Sequence, residues 1–145
     1  VVVDAIRAAA VAAEAAGVRV AVEYHPNTLT DALESATRLF AEVGHGSVVP
    51  YWQPGAAQDV AEAVEEVRTL LPVLTTAHVF SWGPGGWSDR MTLAAREDLW
   101  LPVLHELGRD GVDRYALLEF VADDSPEAFR ADAATLVAWL SSATG

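Results

Sequence analysis

Three apolar segments of the chain each carry one residue of a type that binds metals or transfers protons. The segments are VRVAVEYH, TTAHVF and YALLEFV, and the residues near their carboxyl ends are Glu23, His78 and Glu119. A carboxylate or an imidazole in an apolar run is costly to bury unless something pairs with it. Two carboxylates and one imidazole that meet at one place would suit a divalent cation or an acid/base pair.

The rest of the pattern predicts the elements that would position these residues. Short β-branched runs predict strands over 18–24, 47–52, 73–82 and 115–121. Helical spacing and end signals predict helices over 4–16, 30–43, 57–71, 93–107 and 126–140, with Pro102 a kink or break in the fourth. Pro50 has no backbone N–H to donate to a neighbouring strand, so it predicts a twisted or edge-like end of the second strand. Alternation of this kind is typical of a parallel sheet, whose ligand sites lie at the carboxyl ends of the strands.

Two architectures show this alternation: an open doubly wound sheet, and half of an eight-stranded α/β barrel, which as a whole needs about 250 residues. The chain has 145 residues, so we expect a single α/β domain over 1–145. No GxGxxG or GxxxxGK[ST] motif follows a strand, which weakens the case for a nucleotide-binding open sheet. Candidate site residues on strands far apart in sequence favour half of a (β/α)8 TIM barrel, with four parallel strands and about five helices.

Composition excludes several classes of function. The net charge is −12 and no Lys/Arg cluster exists, which argues against nucleic acid and anionic membrane surfaces as partners. The absence of cysteine excludes disulfides and thiolate chemistry. The apolar stretches are too short to span a bilayer and no basic leader is visible, so a cytoplasmic enzyme is the expectation.

A family resemblance rests on the order of four motifs: VEYHPNTLTD, VVPYWQP, AHVFSW and LLEFVADDSPEAF, followed by a helix that ends in Leu-Xaa-Xaa-Trp-Leu. This order resembles the C-terminal half of the sugar phosphate isomerase/epimerase family. These are the xylose-isomerase-like barrels, a group that also contains metal-dependent apurinic endonucleases. The resemblance covers nearly the whole chain and implies a fragment of a larger barrel that comprises its strands five to eight.

The resemblance also implies a metal centre. The expected cofactor is a divalent cation: Mn²⁺, Mg²⁺, Co²⁺ or Zn²⁺. Family ligands are a Glu, an Asp, a His and a Glu on strands five to eight, and Glu23, His78 and Glu119 match the first, third and fourth of them. Gln53 stands near the sixth-strand position and offers a neutral amide oxygen instead of a carboxylate. Ala56 stands where the family tends to place a substrate-binding His.

These residues suit a reaction that removes a proton next to a carbonyl. A bound cation would supply the electrophile for the developing enediolate, and Glu23 and Glu119 would act as base and acid on the two sides of the substrate carbon. The predicted function is therefore a metal-dependent sugar or sugar phosphate isomerase or epimerase. The candidate substrate contacts are His25, Trp52, Trp82 and Arg90. We interpret the Gly83–Trp87 loop as a possible lid, and the acidic run Glu62, Glu65 and Glu66 as a solvated helix face.

Two alternatives stay open. Gln53 in place of Asp would fit a non-catalytic sugar-binding barrel whose site has decayed. A metal-dependent endonuclease of the same barrel group is disfavoured by the acidic net charge. Four strands cannot close a barrel, so we also expect exposed sheet edges and a possible homo-oligomer.

Overall fold

The structure, a computed structural model, describes residues 1–143. In chain order its helices and strands are α1 Val2–Ala15, β1 Val20–Glu23, α2 Leu33–Val43, β2 Val48–Trp52, α3 Val60–Leu70, β3 Thr76–Val79, β4 Ser81–Trp82, β5 Arg90–Met91, α4 Glu97–Gly108, β6 Tyr115–Leu118 and α5 Pro126–Ala143. Helices and strands alternate along the chain except between α3 and α4, where three strands follow one another. None of the described helices is long and apolar enough to cross a membrane.

Four of the strands form one parallel sheet, in the order β1-β2-β3-β6. The prediction of four parallel strands with five helices is confirmed. The strands are shorter than predicted because pairing stops where the backbone turns away. Phe120, for example, lies two residues after the end of β6 and has a φ of 50°, so it cannot continue an extended strand.

Pro50 lies inside the sheet rather than at a strand end. It is opposite Val22 of β1, whereas β2 pairs with β3 only through Tyr51 and Trp52. The absent amide hydrogen of Pro50 therefore removes no ladder bond between β2 and β3. The expected edge-like strand end is replaced by a strand that is paired along only part of one side.

The two faces of the sheet have opposite characters. On one face, helices α3, α4 and α5 cover a core that includes Trp52, Ala77, Val79 and Trp100, all of them fully buried. On the other face, Tyr115 and Leu117 of β6 are 67% and 46% exposed. Side chains alternate along a strand, so the second face carries the residues that a complete barrel would enclose.

The segment predicted to be a flexible lid is folded as a hairpin. Strands β4 and β5 pair in antiparallel fashion and enclose a short 3₁₀ turn over Gly86–Ser88. Asp89 fills the space beside Gly83 and Gly85, where an added Cβ would lie within 3 Å of the Asp89 side chain. Trp87 stands 68% exposed at the tip of the hairpin.

A buried carboxylate joins the two helices that cover the middle of the sheet. Glu106 of α4 is 6% exposed and accepts hydrogen bonds from Arg68 Nε and Nη2 at 3.3 and 3.2 Å, and from Arg109 Nη1 at 3.1 Å. These bonds, chiefly the one from Arg68, hold the pKa of Glu106 below its ordinary value of 4.5. The ion pairs compensate the cost of burying the charge.

We predict that this carboxylate makes stability depend on acid pH. Because its folded-state pKa is lowered, its contribution is complete above about pH 4.5 and is lost as the pH falls through the folded-state pKa. Glu106→Gln should lower the free energy of unfolding by about 1–3 kcal/mol at pH 7 and by less at pH 3. Urea denaturation at both pH values measures this, with Glu97→Gln on the exposed first turn of α4 as the control. An equal loss at both pH values would contradict the assignment.

We also predict that the isolated chain self-associates, because β1 and β6 have unpaired edges and the second face exposes Tyr115 and Leu117. Light scattering should give a mass well above 15.4 kDa, and Leu117→Lys should lower it. A compact monomer that unfolds cooperatively would show the expectation to be wrong.

Candidate metal centre

Four polar side chains meet where the strands of the sheet end. Glu23 is the last residue of β1, Gln53 follows β2, His78 is next to last in β3, and Glu119 follows β6. In register, Trp52 is opposite Ala77, which brings Gln53 beside His78. Strand alternation directs all four away from the helix-covered core and toward the second face.

The strand ends are held by bonds from the covering elements. Thr30 is 3% exposed and its hydroxyl donates to the carbonyl of Glu23. Trp100 Nε1 donates to the carbonyl of Phe80, just beyond β3, at 2.9 Å. The sequence predicted a helix from residue 30, but α2 begins only at Leu33, and Thr30 lies in the preceding loop, where it bonds to the end of β1.

Three side-chain oxygens converge on His78 Nδ1. Gln53 Oε1 lies 3.0 Å from it, Glu119 Oε2 3.1 Å and Glu23 Oε1 3.2 Å. One ligand atom each of Glu23, His78 and Glu119 all lie within 4.8 Å of one another. Ligands at right angles around a cation at about 2.1 Å are themselves about 3 Å apart, and the three distances to Nδ1 are compatible with that spacing.

Hydrogen bonding alone does not satisfy this cluster. A neutral imidazole nitrogen carries at most one proton, so Nδ1 cannot donate to three oxygens. Glu119 Oε2 is buried and accepts no hydrogen bond from any described residue, although it lies 3.1 Å from Nδ1. Distance alone does not make a hydrogen bond, because the donor must also point at the acceptor. A cation at this place would supply the missing partner.

The surroundings of the cluster also shift the pKa of two of its groups, Glu119 and Tyr51. Burial raises the pKa of Glu119, the nearby His78 opposes the rise, Glu23 adds to it and His25 opposes it. Burial, together with the same two carboxylates, also raises the pKa of Tyr51, whose ring packs 4.0 Å from the imidazole of His78. Burial is therefore the main reason that the pKa of Glu119 and of Tyr51 is raised, and the charge of Glu23 adds to it.

An aromatic cluster lies just beyond the ends of β3 and β6. Phe80 and Trp82 pack with ring centroids 4.2 Å apart, and Phe120 lies 5.1 Å from Trp82. Trp82 Nε1 is buried without a hydrogen-bond partner among residues 1–143. Phe120 directly follows Glu119, so the cluster is continuous with the candidate ligands.

The candidate substrate contacts have different surroundings. Arg90 pairs with Asp124, donates to the carbonyl of Trp87 at 3.2 Å and covers the ring of Phe120 at 5.2 Å. An anionic ligand at Arg90 would have to compete with Asp124. His25 is exposed in the turn after β1, where Nδ1 lies 2.9 Å from the Pro26 carbonyl.

The expectation that Trp52 contacts substrate is corrected by the structure. Its side chain is 0% exposed, lies on the helix-covered face and donates from Nε1 to Glu66 Oε2 at 2.9 Å. Trp52 and Gln53 are adjacent in an extended segment, so they face opposite sides of the sheet. The interpretation of Glu66 as part of a solvated face is likewise wrong, since Glu66 is half-buried and bonded to Trp52 and Tyr24.

Sequence reasoning missed Tyr51 and Phe120 as neighbours of the centre. Tyr51 lies two residues before Gln53 and therefore shares its face, which alternation alone could have indicated. The position of Phe120 depends on its positive φ, which no sequence pattern revealed.

Comparison with known proteins supports the fold. No family model matches the chain, and no curated protein matches it. Among solved structures, it is similar to the probable 3-DHS dehydratase AsbF, involved in petrobactin synthesis, from Bacillus anthracis, with a TM-score of 0.74 and 19% sequence identity. The alignment covers 93% of this chain and 55% of AsbF, so the chain spans about half the length of that protein. The chain thus has the fold of part of a TIM barrel.

We predict that Glu119→Gln stabilises the metal-free protein. The substitution removes a partly buried charge that lacks a hydrogen bond and is repelled by Glu23. Sites built for ligands commonly reduce stability, and relief of such a conflict gives about 0.5–2 kcal/mol. Urea denaturation at pH 7 with a chelator present measures the change. Glu23→Gln, at a side chain that is 41% exposed, should give less, and a loss of stability in Glu119→Gln would refute the conflict.

Proposed function

We propose that the chain carries the metal centre of a metal-dependent sugar or sugar phosphate isomerase or epimerase. The observation that supports the proposal is the convergence of three oxygens within 3.0–3.2 Å of one imidazole nitrogen. The charges of Glu23 and Glu119 would balance a divalent cation, and Gln53 and His78 would complete its ligands with neutral atoms.

The residues fit removal of a proton next to a carbonyl. A divalent cation, when bound, polarises a substrate carbonyl and stabilises the negative charge that develops on its oxygen. Glu23 and Glu119 come from the two edge strands of the sheet, so they flank the position that a substrate would occupy. One carboxylate would take the proton and the other would return it. The aromatic cluster of Phe80, Trp82 and Phe120 would exclude water on one side.

A dehydratase is a second candidate, because the similar structure AsbF is described as one. Loss of water from a β-hydroxy carbonyl compound also begins with removal of a proton next to the carbonyl. The same carboxylates could serve either reaction, and the two differ in whether the next step returns a proton or expels hydroxide. A non-catalytic sugar-binding barrel would require neither step.

Metal binding is the first test. Mn²⁺ at about one hundred times its dissociation constant should raise the free energy of unfolding by about 2.7 kcal/mol. Glu119→Gln should abolish most of this increase, whereas Glu62→Gln, at an exposed position of α3, should retain it. Thermal unfolding with and without Mn²⁺ measures both variants. If Mn²⁺ does not change the stability of the unaltered protein, the metal centre is rejected.

Catalysis is tested by hydrogen exchange with solvent. In D₂O with Mn²⁺, a panel of aldoses, ketoses and their phosphates should contain at least one compound that gains deuterium next to its carbonyl. Formation of an unsaturated carbonyl would favour the dehydratase. Sugar binding without either change would favour the non-catalytic barrel and overturn the proposal.

A further inference from the structure

One carboxylate on the helix-covered side of the sheet contacts two strands at once. Glu66 of α3 accepts a hydrogen bond from the Tyr24 hydroxyl through Oε1 at 3.1 Å and from Trp52 Nε1 through Oε2 at 2.9 Å. Both donors are nearly inaccessible to water, with Tyr24 7% and Trp52 0% exposed. Each carboxylate oxygen therefore has a partner from a different strand end.

The two donors are sequence neighbours of two candidate metal ligands. Tyr24 directly follows Glu23, and Trp52 directly precedes Gln53. The Tyr24 amide also donates to the Tyr51 carbonyl at 2.7 Å, so the two strand ends are already paired along the backbone. Because neighbouring residues in a strand face opposite sides, anchoring Tyr24 and Trp52 from the helix side fixes the direction in which Glu23 and Gln53 project.

We propose that Glu66 is a positioning residue of the metal centre: it holds the ends of β1 and β2 so that Glu23 and Gln53 meet at His78. The metal-dependent part of this inference rests on the proposed function. Glu66 does not touch the site itself and acts only through Tyr24 and Trp52. Groups that orient metal ligands in this indirect way commonly change metal affinity by about 10–100-fold when they are removed.

The chemistry of the two donors defines which substitutions distinguish this role. The indole N–H can only donate, whereas the Tyr24 hydroxyl can donate or accept. A glutamine at position 66 can accept from Trp52 through its oxygen and donate to Tyr24 through its nitrogen, so Glu66→Gln should preserve both links. Leucine has a similar volume and preserves neither.

The experiment compares four variants by Mn²⁺ affinity and by structure. The variants are Glu66→Leu, Glu66→Gln, Glu62→Gln and Val67→Ala, the last two removing a charge or core volume from α3 while leaving the Glu66 carboxylate in place. Electron paramagnetic resonance of free Mn²⁺ gives the affinity at a temperature where each variant is folded. Crystal structures of the metal-free protein and of Glu66→Leu give the positions of the ligand atoms.

Glu66→Leu should bind Mn²⁺ about tenfold or more weakly. Glu66→Gln, Glu62→Gln and Val67→Ala should bind as the unaltered protein does, even though Val67→Ala is destabilised. In the crystal structure of Glu66→Leu, Glu23 Oε1 and Gln53 Oε1 should lie farther from His78 Nδ1 than 3.2 and 3.0 Å.

Three results would overturn the inference: unchanged Mn²⁺ affinity in Glu66→Leu, an equal loss in Val67→Ala, or unchanged ligand positions in the crystal structure of Glu66→Leu. If the unaltered protein does not bind Mn²⁺, the proposed function fails on its own. The two crystal structures then decide whether Glu66 positions Glu23 and Gln53.

Discussion

The alternation of side chains along four parallel strands is the constraint on which the rest of the structure depends. One set of alternate residues must be apolar, because helices α3, α4 and α5 cover that face. The other set is free to carry polar groups at the strand ends, where the backbone stops pairing. Glu23, His78 and Glu119 meet because they all belong to the set of alternate residues that faces away from the helices, at the ends of β1, β3 and β6.

The resulting cluster is stable only as part of a well-anchored sheet. Carboxylates that share one imidazole nitrogen repel one another, and Glu119 Oε2 has no protein hydrogen bond in the part of the chain described. The sheet tolerates this conflict because Thr30 and Trp100 bond to the backbone at the ends of β1 and β3. Such residual conflict is typical of sites that are completed by a ligand.

The side of the sheet away from the site has a comparable role. Glu66 joins Tyr24 and Trp52, and burial, with help from the Glu66 carboxylate, raises the pKa of Tyr24. A polar link of this kind inside an apolar core fixes orientation more than it adds stability, because its bonds replace bonds to water. The core and the candidate site are therefore two faces of one arrangement, connected through the backbone of β1 and β2.

The sequence by itself determined the order of elements and the residues that meet at the centre. β-branched runs, glycine stops and helical spacing predicted the parallel sheet, and one polar residue near the end of each of three apolar runs predicted the convergence seen in the structure. The sequence could also have excluded Trp52 from the site, because Trp52 and Gln53 are adjacent and cannot share a face. In VVPYWQP nearly every residue is apolar, so composition did not reveal which set of alternate residues of β2 faces the helices.

Only the tertiary structure decided the contacts that join distant segments. Glu66 lies 42 residues from Tyr24, and nothing in an acidic helical run distinguishes a carboxylate that bonds across the core from its solvated neighbours. The hairpin of β4 and β5, the pairing of Arg90 with Asp124 and the left-handed backbone of Phe120 likewise depend on how the loops pack against each other. Local patterns indicate which face an element buries, whereas the packing of the whole chain determines which distant residues contact that face.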